Sequence, residues 1–195
     1  MAVWPWATFP CSCFELIMSD ARIVETLSYP LSPWVTLQER SLMRNPGSAP
    51  EVYHSLFQAD YVTVFAVTVD GRVPLVRQFR PAIQGVSVEL PGGMADTGET
   101  PAATAERELF EETGYRLVKP LVELGCLAPD TGRLENRLWG YFASNVERAP
   151  NWQPEMSVES FLMDLNKFKF AVREGSFDHA LHVALVGLAL LRGLI

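Results

Sequence analysis

Residues 93–115 read GMADTGETPAATAERELFEETGY. The stretch predicts a short loop running into a helix. Thr100 suits the N-cap, and Pro101 the first helical position, where a missing N–H costs nothing. Alanines at 102, 103 and 105 favour the helix, and Gly114 is placed to end it. On that helix Glu108, Glu111 and Glu112 stand at i, i+3 and i+4, so three carboxylates share one face. Like charges this close repel. A helix that needed only solubility would interleave lysines, and this one carries a single Arg107. A cluster of hard oxygen ligands is what Mg²⁺ or Mn²⁺ requires, and a divalent cation would relieve the repulsion.

The alternative is an acidic, solvated helix face. Against it stands the whole pattern: Gly93, five residues, Glu99, seven residues, then Arg-Glu-Leu-x-Glu-Glu-x-Gly-Tyr. With average residue usage, chance fills this many fixed positions on the order of once in 10⁸ windows or fewer. The stretch resembles the Nudix box, with every charged and glycine position filled. Tyr115 departs softly, since the family usually carries an aliphatic residue there.

The rest of the chain bounds the reading. Its 195 residues suit one domain with a small appendage. Hydrophobic residues make up 48% and charged residues 20%, as in a globular chain. The net charge is −7 with no long basic run, which argues against nucleic acid as a partner. A small phosphorylated substrate remains compatible, because metals can supply positive charge. Cys11, Cys13 and Cys126 are an odd, scattered set, which points to a reducing, cytoplasmic setting and poorly suits zinc. His54, His179 and His182 read as structural or surface residues.

Residues 1–20 are rich in Trp, Pro and Cys without a period, lack a basic signal-peptide start, and read as a tail. Residues 21–58 read as an N-terminal β segment: an alternating strand from Trp34, a turn at Asn45-Pro46-Gly47-Ser48, and a return strand from Glu51. Residues 59–195 read as the main domain. Tyr61 to Val69 is a buried strand by its β-branched content, Asp70-Gly71 a hairpin turn, and Arg72 to Phe79 its second arm. Short strands come next at 86–90, 121–127 and 137–143, with a polar loop over 147–154. A short helix covers 166–173. A last helix runs over 180–191, capped by Ser176 or Asp178. That helix is apolar but too short for a comfortable membrane span, so burial in the core or at a dimer contact is expected.

Arg77 and Arg80 could grip phosphate in a forked geometry, or form surface ion pairs. Trp34 and Tyr53 could be ordinary sheet aromatics, or a wall on which a base stacks.

The Nudix resemblance implies more. It implies an α/β/α sandwich around a mixed sheet, preceded here by the small β segment. It implies that Glu108, Glu111 and Glu112 hold Mg²⁺, with Mn²⁺ as the substitute, and that the Gly93 carbonyl helps. Glu99 would support the loop and the water shell of the metal, and Arg107 would orient a box glutamate. A carboxylate outside the box would be the base or a further ligand, with Glu155 and Glu159 as the candidates. Metals held this way neutralise a diphosphate, orient it and acidify water, so no covalent nucleophile is needed. Outside the box the chain is similar to the ADP-ribose pyrophosphatase branch, which acts on nucleoside diphosphate sugars. The residues that carry this are Trp34-Val-Thr-Leu, Arg77-Gln-Phe-Arg-Pro81, Val88-Glu-Leu-Pro-Gly-Gly93, and Pro129 at a slightly short spacing. Members of that branch are usually homodimers whose N-terminal strands help build the partner's site. Trp34 or Tyr53 would then stack on the base, and Arg80 would contact the diphosphate. GDP-mannose, UDP-glucose, dinucleotide polyphosphates and nucleoside triphosphates are alternative substrates, because the box reads only the diphosphate. A non-catalytic sensor would be expected to lose box carboxylates, and this chain keeps them all.

Overall fold

Three strands come first, one more than the N-terminal reading distinguished. Arg22–Pro30 (β1), Thr36–Met43 (β2) and Glu51–Phe57 (β3) form an antiparallel sheet in that order. The computed structural model describes residues 20–96, 98–154 and 158–195. The tail reading of residues 1–19 therefore lies outside the described residues.

Tyr61–Thr68 (β4) is the strand around which the remaining elements assemble. Its side chains alternate between two apolar layers, as a pleated strand requires. Val62, Val64 and Ala66 join one core cluster, and Phe65 joins the other. Such a strand is buried on both faces, which suits parallel pairing. Its partner is indeed parallel: Leu138–Arg148 (β9), in register from Tyr61↔Leu138 to Ala66↔Ala143. Between them come Arg72–Arg80 (β5), Gly85–Glu89 (β6), Tyr115–Arg116 (β7) and Val122–Leu127 (β8). The last strand is Glu159–Asp164 (β10). β9 pairs antiparallel with β7 and β8, while β10, β5 and β6 form a separate antiparallel sheet.

This corrects two expectations. Asp70-Gly71 is a tight turn, with Gly71 at φ 74°, but it does not close a hairpin. It carries the chain from one sheet to the other. The Thr68 hydroxyl accepts the Arg72 N–H at 2.9 Å and lies 2.6 Å from Asp70 Oδ1, which fixes the crossing. Also, β9 runs on to Arg148, so the polar loop begins later than Glu147. The extension is held by the ladder with Tyr115 and Arg116.

Pro101–Thr113 (α1) packs Ala105 and Leu109 on the Val62–Val64–Ala66 face. Leu165–Arg173 (α2) and Ala180–Leu191 (α3) pack Phe168, Leu185, Val186 and Ala189 on the opposite face. The architecture is thus an α/β/α sandwich with the N-terminal sheet attached. α3 is N-capped by His179, whose Nδ1 accepts the His182 N–H at 3.4 Å, and not by Ser176 or Asp178. His179 wins because its extended backbone directly precedes the helix. Gly140 lets α3 approach β9 closely: a Cβ there would lie 2.0 Å from Leu185 Cδ2. Among the described residues, no helix is long and apolar enough to cross a membrane.

Candidate active site

α1 is built as its sequence demands. The Thr100 side chain accepts the Ala103 N–H at 3.3 Å, and Gly114 ends the helix in the left-handed region at φ 72°. The Trp152 ring lies where a Cβ of Gly114 would go, and its Nε1–H donates to the Glu111 carbonyl at 3.1 Å.

Arg107 gathers the acidic residues. Its guanidinium donates to Glu108 Oε1 and Glu111 Oε2, each at 2.8 Å, to Glu99 Oε2 at 3.1 Å, and to the Met94 carbonyl at 3.1 Å. One cation therefore straps the loop to the helix, and its own proton is held more tightly in consequence. Glu99 also accepts the Thr104 hydroxyl at 2.8 Å. The Arg107 bonds, aided by Thr104, hold the Glu99 carboxyl down at about 2.

The loop meets the helix at two glycines. Gly92 N–H donates to Glu112 Oε2 at 2.8 Å. Gly93 sits so close to Glu108 that a Cβ would lie 2.4–2.8 Å from its carboxyl group. Behind them, Val64 N–H donates to the Pro91 carbonyl at 2.9 Å and Val62 N–H to the Gly93 carbonyl at 2.8 Å. The segment is thus clamped between β4 and α1. Glu112 lies against Gly92 and Glu108 against Gly93, so two carboxylates of the hard-oxygen kind flank the clamped segment, with Glu111 held beside Glu108 through Arg107. These residues fit a divalent cation.

A cleft of about 390 Å³ is lined by Gly92, Gly93 and Glu112 and by Trp34 of the N-terminal segment. Arg80, Glu89, His179 and His182 also line it. Arg80 grips Glu89 with a two-pronged bond, Nε to Oε1 at 2.7 Å and Nη2 to Oε2 at 2.6 Å. Burial by itself would raise the Glu89 carboxyl, but the Arg80 fork outweighs it and the net shift is downward.

His182 is buried. Its Nδ1 accepts the Leu90 N–H at 3.1 Å, so the ring proton sits on Nε2, 3.3 Å from the Thr63 hydroxyl oxygen. Burial pushes this imidazole down to about 3, with neighbouring His179 adding to the effect. The two rings stack with centroids 3.6 Å apart. Glu89, His179 and His182 bring ligand-type atoms within 4.8 Å of one another. As they stand, Arg80 bonds both Glu89 oxygens and the Leu90 N–H occupies the His182 Nδ1 lone pair.

Other sequence-predicted residues fall elsewhere. Trp34 lines the cleft and is 66% exposed. Tyr53 stands half exposed on β3, opposite Arg40 in the ladder, and is not among the lining residues. Arg77 bonds Glu159 at 2.9 Å across the β5–β10 ladder and lies over the Phe161 ring at 4.6 Å. That is the surface ion pair, and neither residue lines the cleft. Glu155 lies outside the described residues. Sequence reasoning left Glu89 and the two late histidines without a role in the site. Two signals were available. Glu89 is a charge inside an apolar strand. His182 lies in the same helical stripe as Leu185, Val186 and Ala189, which are buried.

Residues 58–181 match the family model described as NUDIX domain. The ADP-ribose pyrophosphatase of Bacillus subtilis (strain 168) is 38% identical over 81 residues, covering 42% of this chain and 37% of that protein. The ADP-ribose pyrophosphatase of Saccharomyces cerevisiae is 54% identical over 111 residues, covering 49% of this chain and 48% of that protein. The chain thus spans half or less of the length of these two relatives. Among solved structures, an ADP compounds hydrolase superposes with a TM-score of 0.74 over 89% of this chain and 95% of that one, at 20% identity. That likeness is one of fold.

Proposed function

The chain belongs to the NUDIX domain family, and from that we propose that it hydrolyses the diphosphate of ADP-ribose, giving AMP and ribose 5-phosphate. One observation carries the reading. Glu112, with Gly92 and Gly93, lines the same cleft as the exposed Trp34, and Glu108 lies against Gly93. Phosphate chemistry and ring stacking in one cleft suit a nucleotide whose diphosphate must be cut. The relatives named ADP-ribose pyrophosphatase support the substrate class.

In this reading Glu108, Glu111, Glu112 and the Gly93 carbonyl hold Mg²⁺, or Mn²⁺ in its place. The bound metal neutralises diphosphate charge and acidifies water. Arg107 keeps Glu99, Glu108 and Glu111 at fixed spacing before the cation arrives, and so limits their mutual repulsion. Glu99 holds the loop in place through Arg107 and Thr104. Trp34 stacks on the base. Arg80 spends two of its five N–H donors on Glu89 and offers the others to a phosphate oxygen. Of the two candidate bases, Glu159 is tied to Arg77 away from the cleft, which leaves Glu155 to take the proton of the attacking water. Residues 59–195 form the catalytic domain and 21–58 an accessory segment. Exposed Ile23, Leu27, Val52 and Tyr53 on that segment suit a homodimer in which one copy's N-terminal sheet completes its partner's cleft.

The test is phosphate release with Mg²⁺, coupled to alkaline phosphatase for ADP-ribose, GDP-mannose, UDP-glucose and diadenosine polyphosphates, and to inorganic pyrophosphatase for nucleoside triphosphates, which alkaline phosphatase cuts unaided. Preference for ADP-ribose supports the assignment. Activity on triphosphates alone keeps the box chemistry and overturns the substrate.

A further inference from the structure

Residues 90–93 have no strand of their own, yet each is held. The Leu90 N–H goes to His182, the Pro91 and Gly93 carbonyls to β4, and the Gly92 N–H to Glu112. Three layers of the fold thus meet on four residues. The grip from α3 is His182, and it reaches the segment twice. Its Nδ1 takes the Leu90 N–H directly. Its Nε2 faces Thr63 Oγ1, and that oxygen lies only 3.0 Å from where a Cβ of Gly92 would stand.

We infer that His182 is a positioning residue for the cation cradle. Acting through Leu90 and Thr63, it sets how far Gly92 and Gly93 lie from Glu112 and Glu108. The inference rests on the proposed reading of those glutamates and Gly93 as metal ligands, and concerns a residue 70 positions beyond the last of them, Glu112, in sequence. The clearance at Gly93 is already used up, since no Cβ fits against the Glu108 carboxyl. A small displacement of the segment therefore changes the spacing between carbonyl and carboxylate directly. Leu90 is buried, and its N–H loses its protein acceptor when the ring is removed. The segment is then free to shift toward another acceptor. Groups that orient metal ligands without touching the metal typically alter affinity by about 10- to 100-fold when replaced. A histidine that only filled the core would alter stability and leave metal affinity alone.

The two roles separate by placing an acceptor at one ring position or the other. In His182→Asn the side-chain oxygen falls where Nδ1 was and can still take the Leu90 N–H. In His182→Gln the polar group falls near Nε2 and cannot. Mn²⁺ is the probe, its free concentration followed by electron paramagnetic resonance during titration of the full-length chain, with melting temperature and kcat measured in parallel. The expected result is an Mn²⁺ affinity about tenfold or more weaker in His182→Gln, and within about threefold of the parent in His182→Asn. The kcat of His182→Gln should recover at saturating metal. Parent-like Mn²⁺ affinity in both folded variants, whatever their melting temperatures, overturns the inference. If neither variant folds, Thr63→Val decides. It keeps the side-chain shape and releases only the Nε2 contact, so weakened Mn²⁺ binding supports the inference and unchanged binding overturns it. Glu112→Gln marks the separate failure. If it binds Mn²⁺ as the parent does, the cradle reading itself falls and takes this inference with it.

Discussion

A single methyl group decides how near the box loop and its helix can come. Gly93→Ala would place a carbon 2.4–2.8 Å from the Glu108 carboxyl, so that carboxyl must swing out of place or loop and helix must part. Turnover should fall by about 10²-fold with the circular dichroism spectrum unchanged, since displacements near 1 Å cost about that much. An active Gly93→Ala enzyme would show that the close approach has no catalytic use. Glu111→Gln and Glu112→Gln should each lower Mg²⁺-dependent turnover by orders of magnitude in folded protein. Near-normal rates in both would mean that the face is only acidic surface. His182 gives the fold a pH dependence. It titrates near 6.5 when free and at about 3 when folded, so the unfolded chain takes up the proton first. Stability should therefore hold above pH 6.5 and fall by about 1 kcal/mol per pH unit below it. Urea midpoints between pH 7 and 4.5 measure this, and His182→Asn should flatten that range. The box residues were legible because their spacing is local to one helix. Glu89 and His182 were not, because each takes its meaning from a partner on another element. A similar limit hid the Arg77–Glu159 pair, which only the β5–β10 register brings together.

Helices and strands were legible where chemistry at their ends is local. Thr100, Pro101 and Gly114 mark α1 unaided. What single elements cannot show is which neighbour they choose. Asp70-Gly71 is the chemistry of a hairpin, yet β4 takes β9 as its neighbour because it has two apolar faces to cover. α3 illustrates the same limit. Its apolar run left core and dimer contact open as expectations, and the choice turns on Gly140 of β9. Gly140→Ala should push α3 off the sheet and cost about 1–3 kcal/mol, as overpacked cores do. Leu185→Ala alone should cost about 2–5 kcal/mol by opening a cavity. The double variant should cost clearly less than the sum, because each change makes room for the other. Denaturant unfolding of all four proteins measures the coupling, and strict additivity would refute the contact.

At the scale of the whole molecule, the N-terminal sheet is joined to the sandwich by a compact set of bonds. Arg40 pairs with Glu135 through two prongs, Nη2 to Oε2 at 2.9 Å and Nη1 to Oε1, and Ser55 joins the same carboxylate. Leu56 exchanges backbone bonds with Arg133 and Glu135. Arg40→Ala should loosen this joint by about 1–3 kcal/mol. Limited proteolysis should then cut between residues 44 and 50 sooner, while the main unfolding transition stays put. Unchanged cleavage would locate the attachment elsewhere. The parallel β4–β9 ladder bears on how the protein is made. β4 leaves the ribosome early, and the strand it must lie beside begins at Leu138, after the whole box has been synthesised. Until then the edge of β4 that β9 fills and the face that α2 and α3 cover are both open, and a nascent chain halted before Leu138 should be held by chaperones. Such a chain would contain every box glutamate and still lack the clamped Gly92–Gly93 segment, since that segment hangs on β4. The clamp on Gly92 and Gly93 is therefore completed late in translation, in the same event that buries the central strand.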